Sequence, residues 1–461
     1  MTLSSLDIIV ILVYFALVLY IGFFIAKKKG ESNNSKEDFI LAGRKLTLPL
    51  FVATLVATWY GSILGVGEFV YKNGFVAWIC FGFPYYVAAV VFSLFVAEKI
   101  RKANVVSIPE QIKSKYGAKA GVVASLIVLI ITVPAAYILM LGVVIQLFSG
   151  LSIEVSIIIG AVVSLIYLFN GGFKADVYTN VAQFFLMYLG FFVLIVFTFI
   201  EYGSFNSMFA LLPENHRTMD GGFTWQVILT WFIIAFQTFV DPSFHQRCSA
   251  VTEPRIARNG ILVSVVLWAI FDFMTLTAGL YAKAYLDVDN PLMSFPILAE
   301  NVLPAFWKGI FIISILATIM STLDSYSFLS AVTIGNDILR QLSGFNKFTD
   351  KQLINYGLLC TGFLGIIIAI LIPSAVEIIY KSASIAVPGL ILPLLISMNR
   401  KFELRPRQSL IIMLFSSQYL LLLWTVLQWL QISITDSIEP MIAGMFVSLI
   451  ITLIFIKGLK S

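Results

Sequence analysis

Apolar runs long enough to cross roughly 30 Å of hydrocarbon recur along nearly the whole chain, and this repetition limits the fold more than any motif does. Thirteen such segments begin near residues 7, 48, 75, 119, 152, 175, 224, 256, 305, 353, 374, 409 and 437. Within a bilayer, backbone polar groups must be satisfied without water, so runs of this length read as helices. The expectation is an all-α polytopic membrane protein with 13 transmembrane helices. The linkers are short, so residues 1–461 read as one transmembrane unit with no attached soluble domain. Only 12% of residues are charged while 59% are hydrophobic, against roughly 25% charged in soluble domains. The first run starts near Asp7, ends in Lys27, Lys28 and Lys29, and has no small-residue cleavage site, which marks an anchor and not a removed signal.

The basic residues give an orientation. Assigning loops alternately to the two sides places 25 of the 30 Lys and Arg residues on one of them. By the positive-inside rule the N-terminus is expected outside and the C-terminus in the cytoplasm, with the loop from Lys27 to Lys45 inside. The expected location is a bacterial-type plasma membrane. The net charge of +5 thus describes topology and carries no argument for nucleic-acid binding. Cys80, Cys248 and Cys360 are dispersed, and His216 and His245 are the only histidines, so neither a disulfide framework nor a Cys/His metal site is implied. There is no HExxH or GxGD motif, and the sequence offers no nucleophile with a base for a membrane-embedded enzyme.

One polar patch interrupts the run from Phe311 to Ser330. Thr318, Ser321, Thr322 and Ser325 fall at i, i+3, i+4 and i+7 and share a helix face, with Asp324 beside it. Hydroxyls in membrane helices often bond only their own i−4 carbonyl or a neighbouring helix. An intramembrane acid is a functional-site hypothesis by default, and oxygens on one face suit a small hard cation. Two other segments read as broken helices. The second, from Thr47 to Val70, carries Thr54, Thr58, Trp59, Tyr60, Gly61, Ser62, Gly65 and Gly67. The seventh contains Gln237, Thr238, Asp241, Pro242, Ser243 and His245, and Pro242 biases Asp241 away from helix. Interrupted spans at corresponding positions of two halves point to a transporter site between inverted repeats.

With these residues the chain resembles the sodium:solute symporter family. The resemblance rests on Leu41-Ala-Gly-Arg44, Ala57-Thr-Trp-Tyr60, Leu64-Gly-Val-Gly67, Ser107-Ile-Pro-Glu110 with Lys115-Tyr-Gly117, Asp241-Pro-Ser-Phe-His-Gln-Arg247 and Met320-Ser-Thr-Leu323, in that order. It implies a leucine-transporter-type fold, with five-helix inverted repeats over 48–201 and 223–396 and peripheral helices at 7–26 and 405–458. It also implies import of a small organic solute by symport with Na+ as coupling ion; a sodium-independent uniporter, channel or solute sensor on the same scaffold is the alternative. The partners expected are the solute, sodium ions and the lipid bilayer, with no obligate protein partner.

Carried over from the family, the main sodium site comprises the carbonyls of Leu55, Thr58 and Thr318 and the hydroxyls of Ser321 and Thr322. A second site in some members uses an aspartate on the sixth segment and hydroxyls on the ninth. Here Asn180 stands where that aspartate is expected, while Asp324 and Ser325 lie on the ninth segment. Either the carboxylate has crossed the site or the second ion is lost.

For the solute, residues at the sugar-contacting positions are Ser62, Phe81, Ile234 and Trp268, too apolar for a hexose. The fourth segment lacks the arginine of sialic-acid members, and Ala57 replaces the aspartate of proline-type members. Trp59, Ser62, Phe81, Gln237, Trp268 and Asp272 form the candidate substrate set. Asp272 among aromatics reads equally as counter-ion to an amine, with cation–π support of roughly 0.5–2 kcal/mol, or as a structural acid bonding Thr275 or Thr277. Asp272 and Asp324 are read as the midplane acids, with Lys283 and Lys381 the nearest bases, so a solute that is not strongly anionic is expected.

Overall fold

The computed structural model describes residues 3–25, 36–399, 401–419, 422–423, 426–427 and 440–458. Among these residues the fold is helical apart from a two-residue strand pair, Phe402–Glu403 against Lys457–Gly458. Among the described residues nine helices are long and apolar enough to cross a membrane, or ten if a pair bent by 57° forms one span. Of the thirteen expected spans, the described residues thus contain up to ten that pass on length and composition. The expected fifth span is the 13-residue helix Ile153–Leu165, and the expected thirteenth is the 16-residue Pro440–Phe455. At 1.5 Å per residue these reach only about 20 and 24 Å. The expected twelfth span begins as Pro406–Met413 and continues to Tyr419, then enters residues outside those described. Lys27 to Lys29 and the C-terminal Ser461 also lie outside the described residues.

Seven helices position the candidate site: α1 (Ser5–Tyr20), α2 (Leu48–Trp59), α3 (Ile63–Asn73), α4 (Leu168–Tyr202), α5 (Pro242–Ala250), α6 (Pro254–Tyr285) and α7 (Trp307–Val332). The most enclosed is α7. Its residues are buried almost without interruption from Phe311 to Val332, which explains why its sequence lacks the polar stripe of a surface helix. It packs most extensively against α4 and also touches α1 and α2.

Local sequence sets where these helices start and stop. Ser4 caps α1 and Asp7 returns the bond to the Ser4 amide at 2.9 Å, a reciprocal capping box. The second oxygen of Asp7 accepts the amides of Phe306 at 2.9 Å and Gly309 at 2.8 Å, so one carboxylate caps both α1 and α7. These helices consequently begin at the same end of the bundle. The second segment breaks where its glycines and serine suggested, between Trp59 and Ile63. In the seventh segment Trp225–Ile234 tightens into a 3-10 turn, Ala235–Phe239, before α5 starts at Pro242. Asp241 caps α5, accepting the Ser243 amide at 2.7 Å, and proline occupies a first-turn position where its missing N–H is not required. Ser107 caps the short helix Ile108–Tyr116 by accepting the Glu110 amide at 3.1 Å, as the motif there predicts.

Candidate functional site

The break after α2 places main-chain carbonyls opposite the hydroxyls of α7. Thr322 Oγ1 donates to the Thr58 carbonyl at 2.7 Å, and Ser321 Oγ lies 2.8 Å from the Ala57 carbonyl and 2.9 Å from that of Thr318. Five neutral oxygens thus converge: three carbonyls and two hydroxyls. Of the residues expected there, Thr58, Thr318, Ser321 and Thr322 come together. Leu55 is buried on α2, and the carbonyl that accepts the Ser321 hydroxyl is Ala57's. Gly61 permits the close approach. A Cβ on it would sit 2.5 Å from Thr322 Oγ1, a contact no side chain tolerates. The donor set fits a small hard cation of sodium's kind, since neutral oxygens hold such an ion without requiring a carboxylate.

The residues expected at a second ion site divide into two groups. Asn180 Nδ2 lies 3.3 Å from Ser325 Oγ and 3.0 Å from Thr54 Oγ1. Asp324 does not join them. Its side chain points away and accepts the Tyr167 hydroxyl, beside Gln183 and Tyr14. The carboxylate that approaches Asn180 is Asp176, one turn earlier on α4, whose Oδ1 accepts Ser325 Oγ at 2.7 Å. Beside it stands Arg247, fully buried and 3.4 Å from Asp176 Oδ2.

Arg247 corrects two sequence expectations. The positive-inside count treats basic residues as belonging to loops, yet Arg247 lies within α5 at 0% exposure. The charge inventory named Lys283 and Lys381 as the nearest bases, but among the described residues Arg247 is a fully buried cation. The available signal was its place in the motif after Pro242, which starts a helix and carries Arg247 back inward.

All six candidate substrate residues, Trp59, Ser62, Phe81, Gln237, Trp268 and Asp272, line one cavity of about 120 Å³. The cavity also has Thr58 in its wall, so it abuts the oxygen cluster directly. Sequence reasoning did not place Tyr60, Tyr85, Tyr86, Tyr137, Asp241 and Tyr326 there, and these line the cavity too, with Val66 and Ile379. Trp59 and Trp268 are 5.6 Å apart between ring centroids, and Tyr137 and Tyr326 are 5.5 Å apart. Asp272 accepts the hydroxyls of Tyr60, at 2.7 Å, and of Tyr86. The alternative partner Thr275 bonds the Asp272 main-chain carbonyl at 3.0 Å and leaves the carboxylate alone. Asp241 Oδ2 accepts the Tyr326 hydroxyl. The Trp268 indole N–H is buried with no partner among the described residues. The lining therefore combines aromatic faces with two carboxylates, and no Lys or Arg contributes to it.

A polytopic membrane protein with a broken helix, a polar cavity at the break and an adjoining oxygen cluster belongs to the class of membrane transport proteins. The family can be stated: the Sodium:solute symporter family profile matches residues 39–401, and this chain belongs to that family. The high-affinity choline transporter 1 of Drosophila melanogaster is 25% identical over 391 residues, covering 79% of this chain and 62% of that protein. Its human counterpart is 24% identical, covering 75% and 64%. The sodium/pantothenate symporter of Escherichia coli (strain K12) is 24% identical, covering 72% of each. The chain thus spans less than two thirds of the length of the fly and human choline transporters it matches. Among solved structures, a Na+-coupled sialic acid symporter in a substrate-bound outward-open state superposes with a TM-score of 0.82 at 14% identity, covering 99% of this chain and 100% of that one. That likeness establishes the shared leucine-transporter-type fold.

Proposed function

We propose that this protein imports a small organic solute by sodium-coupled symport, through alternating access of the cavity to the two sides of the membrane. The observation that carries this reading is the double role of Thr58. Its carbonyl faces Thr322 in the oxygen cluster, and the same residue lines the cavity. Sodium at the cluster would draw the end of α2 against α7 and so fix one wall of the solute cavity. Ion and solute each raise the other's affinity when both stabilise the same arrangement, because coupling free energy is reciprocal. Residues 48–201 and 223–396 are read as the two five-helix repeats whose rocking exchanges access. The N-terminus is placed outside on the strength of the asymmetry in basic residues.

For the solute, we infer an organic ammonium ion. Aromatic faces attract a cation through their quadrupoles, and Asp241 and Asp272 supply two negative charges without a basic counterpart in the lining. The choline-transporting relatives support the same class.

The test is uptake into proteoliposomes under an inward sodium gradient, comparing choline, pantothenate, a neutral amino acid and a dicarboxylate, with potassium replacing sodium in parallel. Choline uptake that requires sodium is expected. Equal flux in sodium and potassium would make the protein a uniporter or channel, and saturable binding without flux would make it a sensor. Preferred uptake of the dicarboxylate would show that the charges of the lining had been misread.

A further inference from the structure

We propose that Arg247 serves as a tethered cation occupying the place of a second coupling ion, so that the protein binds one sodium ion and not two. The inference deepens the symport reading and rests on the sodium site proposed there.

The geometry around one nitrogen carries the argument. Arg247 Nη2 has four oxygens near it: Thr58 Oγ1 at 2.6 Å, Ser325 Oγ at 2.9 Å, Thr54 Oγ1 at 3.0 Å and Asp176 Oδ2 at 3.4 Å. They come from α2, α4 and α7, and the nitrogen itself is on α5. A guanidinium nitrogen has only two N–H bonds, and guanidinium recognition normally works through a planar fork that meets a carboxylate side-on. Here a planar donor sits inside a rounded cluster of oxygens, an arrangement otherwise suited to a spherical cation. The remaining interactions hold the group there: Nε lies 3.2 Å from Thr54 Oγ1, Nη1 lies 3.4 Å from the Ser243 carbonyl, and the guanidinium carbon stands 5.6 Å from the Phe173 ring centroid.

Charge and position point the same way. Asp176 is the carboxylate facing this cluster, and the arginine neutralises it in place. Asp324 is engaged with Tyr167 on the other side of α7. No net negative charge remains in the cluster to attract a free ion. Thr58 gives its hydroxyl to Arg247 and its carbonyl to Thr322, so the fixed cation and the five-oxygen cluster share a residue. Arg247 is thus a positioning residue. It holds Thr58 through the hydroxyl, while sodium would hold the same residue through its carbonyl.

The experiment counts ions. Purified full-length protein is equilibrated with radioactive sodium over a concentration series, with folding checked by size-exclusion profile. The expected result is one sodium per wild-type chain, a count of two for Arg247→Gln, and one for the charge-retaining Arg247→Lys. Asn180→Asp, which adds a carboxylate without removing the arginine, is expected to stay at one and covers the case in which Arg247→Gln does not fold. Two sodium ions in wild type, or in Asn180→Asp, would overturn the inference. So would a folded Arg247→Gln that still binds one ion with unchanged affinity. A wild-type count of zero would instead refute the underlying sodium-site reading.

Discussion

Replacing Thr322 by alanine isolates the contribution of a single oxygen to the ion site. In the ion-free protein, Thr322 Oγ1 donates to the Thr58 carbonyl at 2.7 Å, so the substitution leaves that carbonyl without its partner. A lost neutral hydrogen bond raises the ion-free state by about 1 kcal/mol. In the sodium-bound state one of five oxygens is missing, and interactions with a charged group are worth about 1.5–3 kcal/mol. The difference, about 0.5–2 kcal/mol, raises the half-saturating sodium concentration roughly 2- to 30-fold at 1.4 kcal/mol per decade. Ser321→Ala falls in the same range, because its hydroxyl also meets two converging carbonyls. Thr322→Ser retains the oxygen and should stay close to wild type. The assay is thermal stabilisation by sodium at constant ionic strength, with potassium as the balancing cation, since a ligand stabilises according to its affinity for the folded state. If Ser321→Ala and Thr322→Ala both keep the wild-type half-saturation, the hydroxyls serve helix packing only and the proposed ion site is wrong.

Gly61→Ala places a Cβ 2.5 Å from Thr322, and overpacking of this kind costs about 1–3 kcal/mol. A lowered melting temperature and loss of sodium stabilisation are expected together; loss of stability with sodium binding intact would place Gly61 outside the site. Asp272→Asn removes the negative charge that Tyr60 and Tyr86 hold at the cavity wall, and choline affinity should fall about tenfold or more, as charge-assisted contacts are roughly twice as strong as neutral ones. Unchanged choline binding would remove Asp272 from the solute site. His216 lies outside the spans, with Nε2 donating to the Tyr71 carbonyl at 3.0 Å, and burial holds its pKa below the ordinary value of 6.5. Its neutral form is the one that fits, so stability should be full above pH 6.5 and decline as pH falls below it. Hydrogen exchange in residues 213–223 should accelerate from pH 7 to pH 5 in wild type and not in His216→Gln, after correction for the intrinsic rate. For orientation, a cysteine at exposed Asn215 should react with an impermeant thiol reagent on intact cells while one at exposed Asn346 should not, and the reverse pattern would invert the topology.

Those features were legible in the sequence that depend on local pattern. The apolar runs located the spans, the glycine-rich stretch around Gly61 and the Asp241-Pro242 pair located the breaks, and the helical spacing of Thr318, Ser321 and Thr322 placed their side chains on one face. The features that escaped depend on distance in space. Asp176 and Arg247 are 71 residues apart, and nothing in either segment says that they meet. The tyrosines of the cavity were hidden for a different reason, because an aromatic ring in a membrane helix is most often packing, and only the hydroxyl's partner distinguishes Tyr60 or Tyr86. The Ala57 carbonyl, which accepts the Ser321 hydroxyl, is likewise recognised only from the bond between the two helices. Helix lengths escaped as well, because hydropathy does not report where a helix ends, as at Ile153–Leu165.

The carboxylate that Asp7 shares between two helices has a consequence for how the chain is made. Its bonds to the Phe306 and Gly309 amides, and the approach of the Tyr14 hydroxyl to the Met320 sulfur at 3.6 Å, join the first helix to a segment synthesised about 300 residues later. At about 5–20 residues per second, the ribosome needs roughly 15–60 s to produce that partner. Throughout that interval the second oxygen of Asp7 lacks both amides, while Tyr14 can meet Gln183 of α4 sooner. Docking of α1 against α7 therefore follows the synthesis of α4, which offers Tyr14 its earlier partner, Gln183.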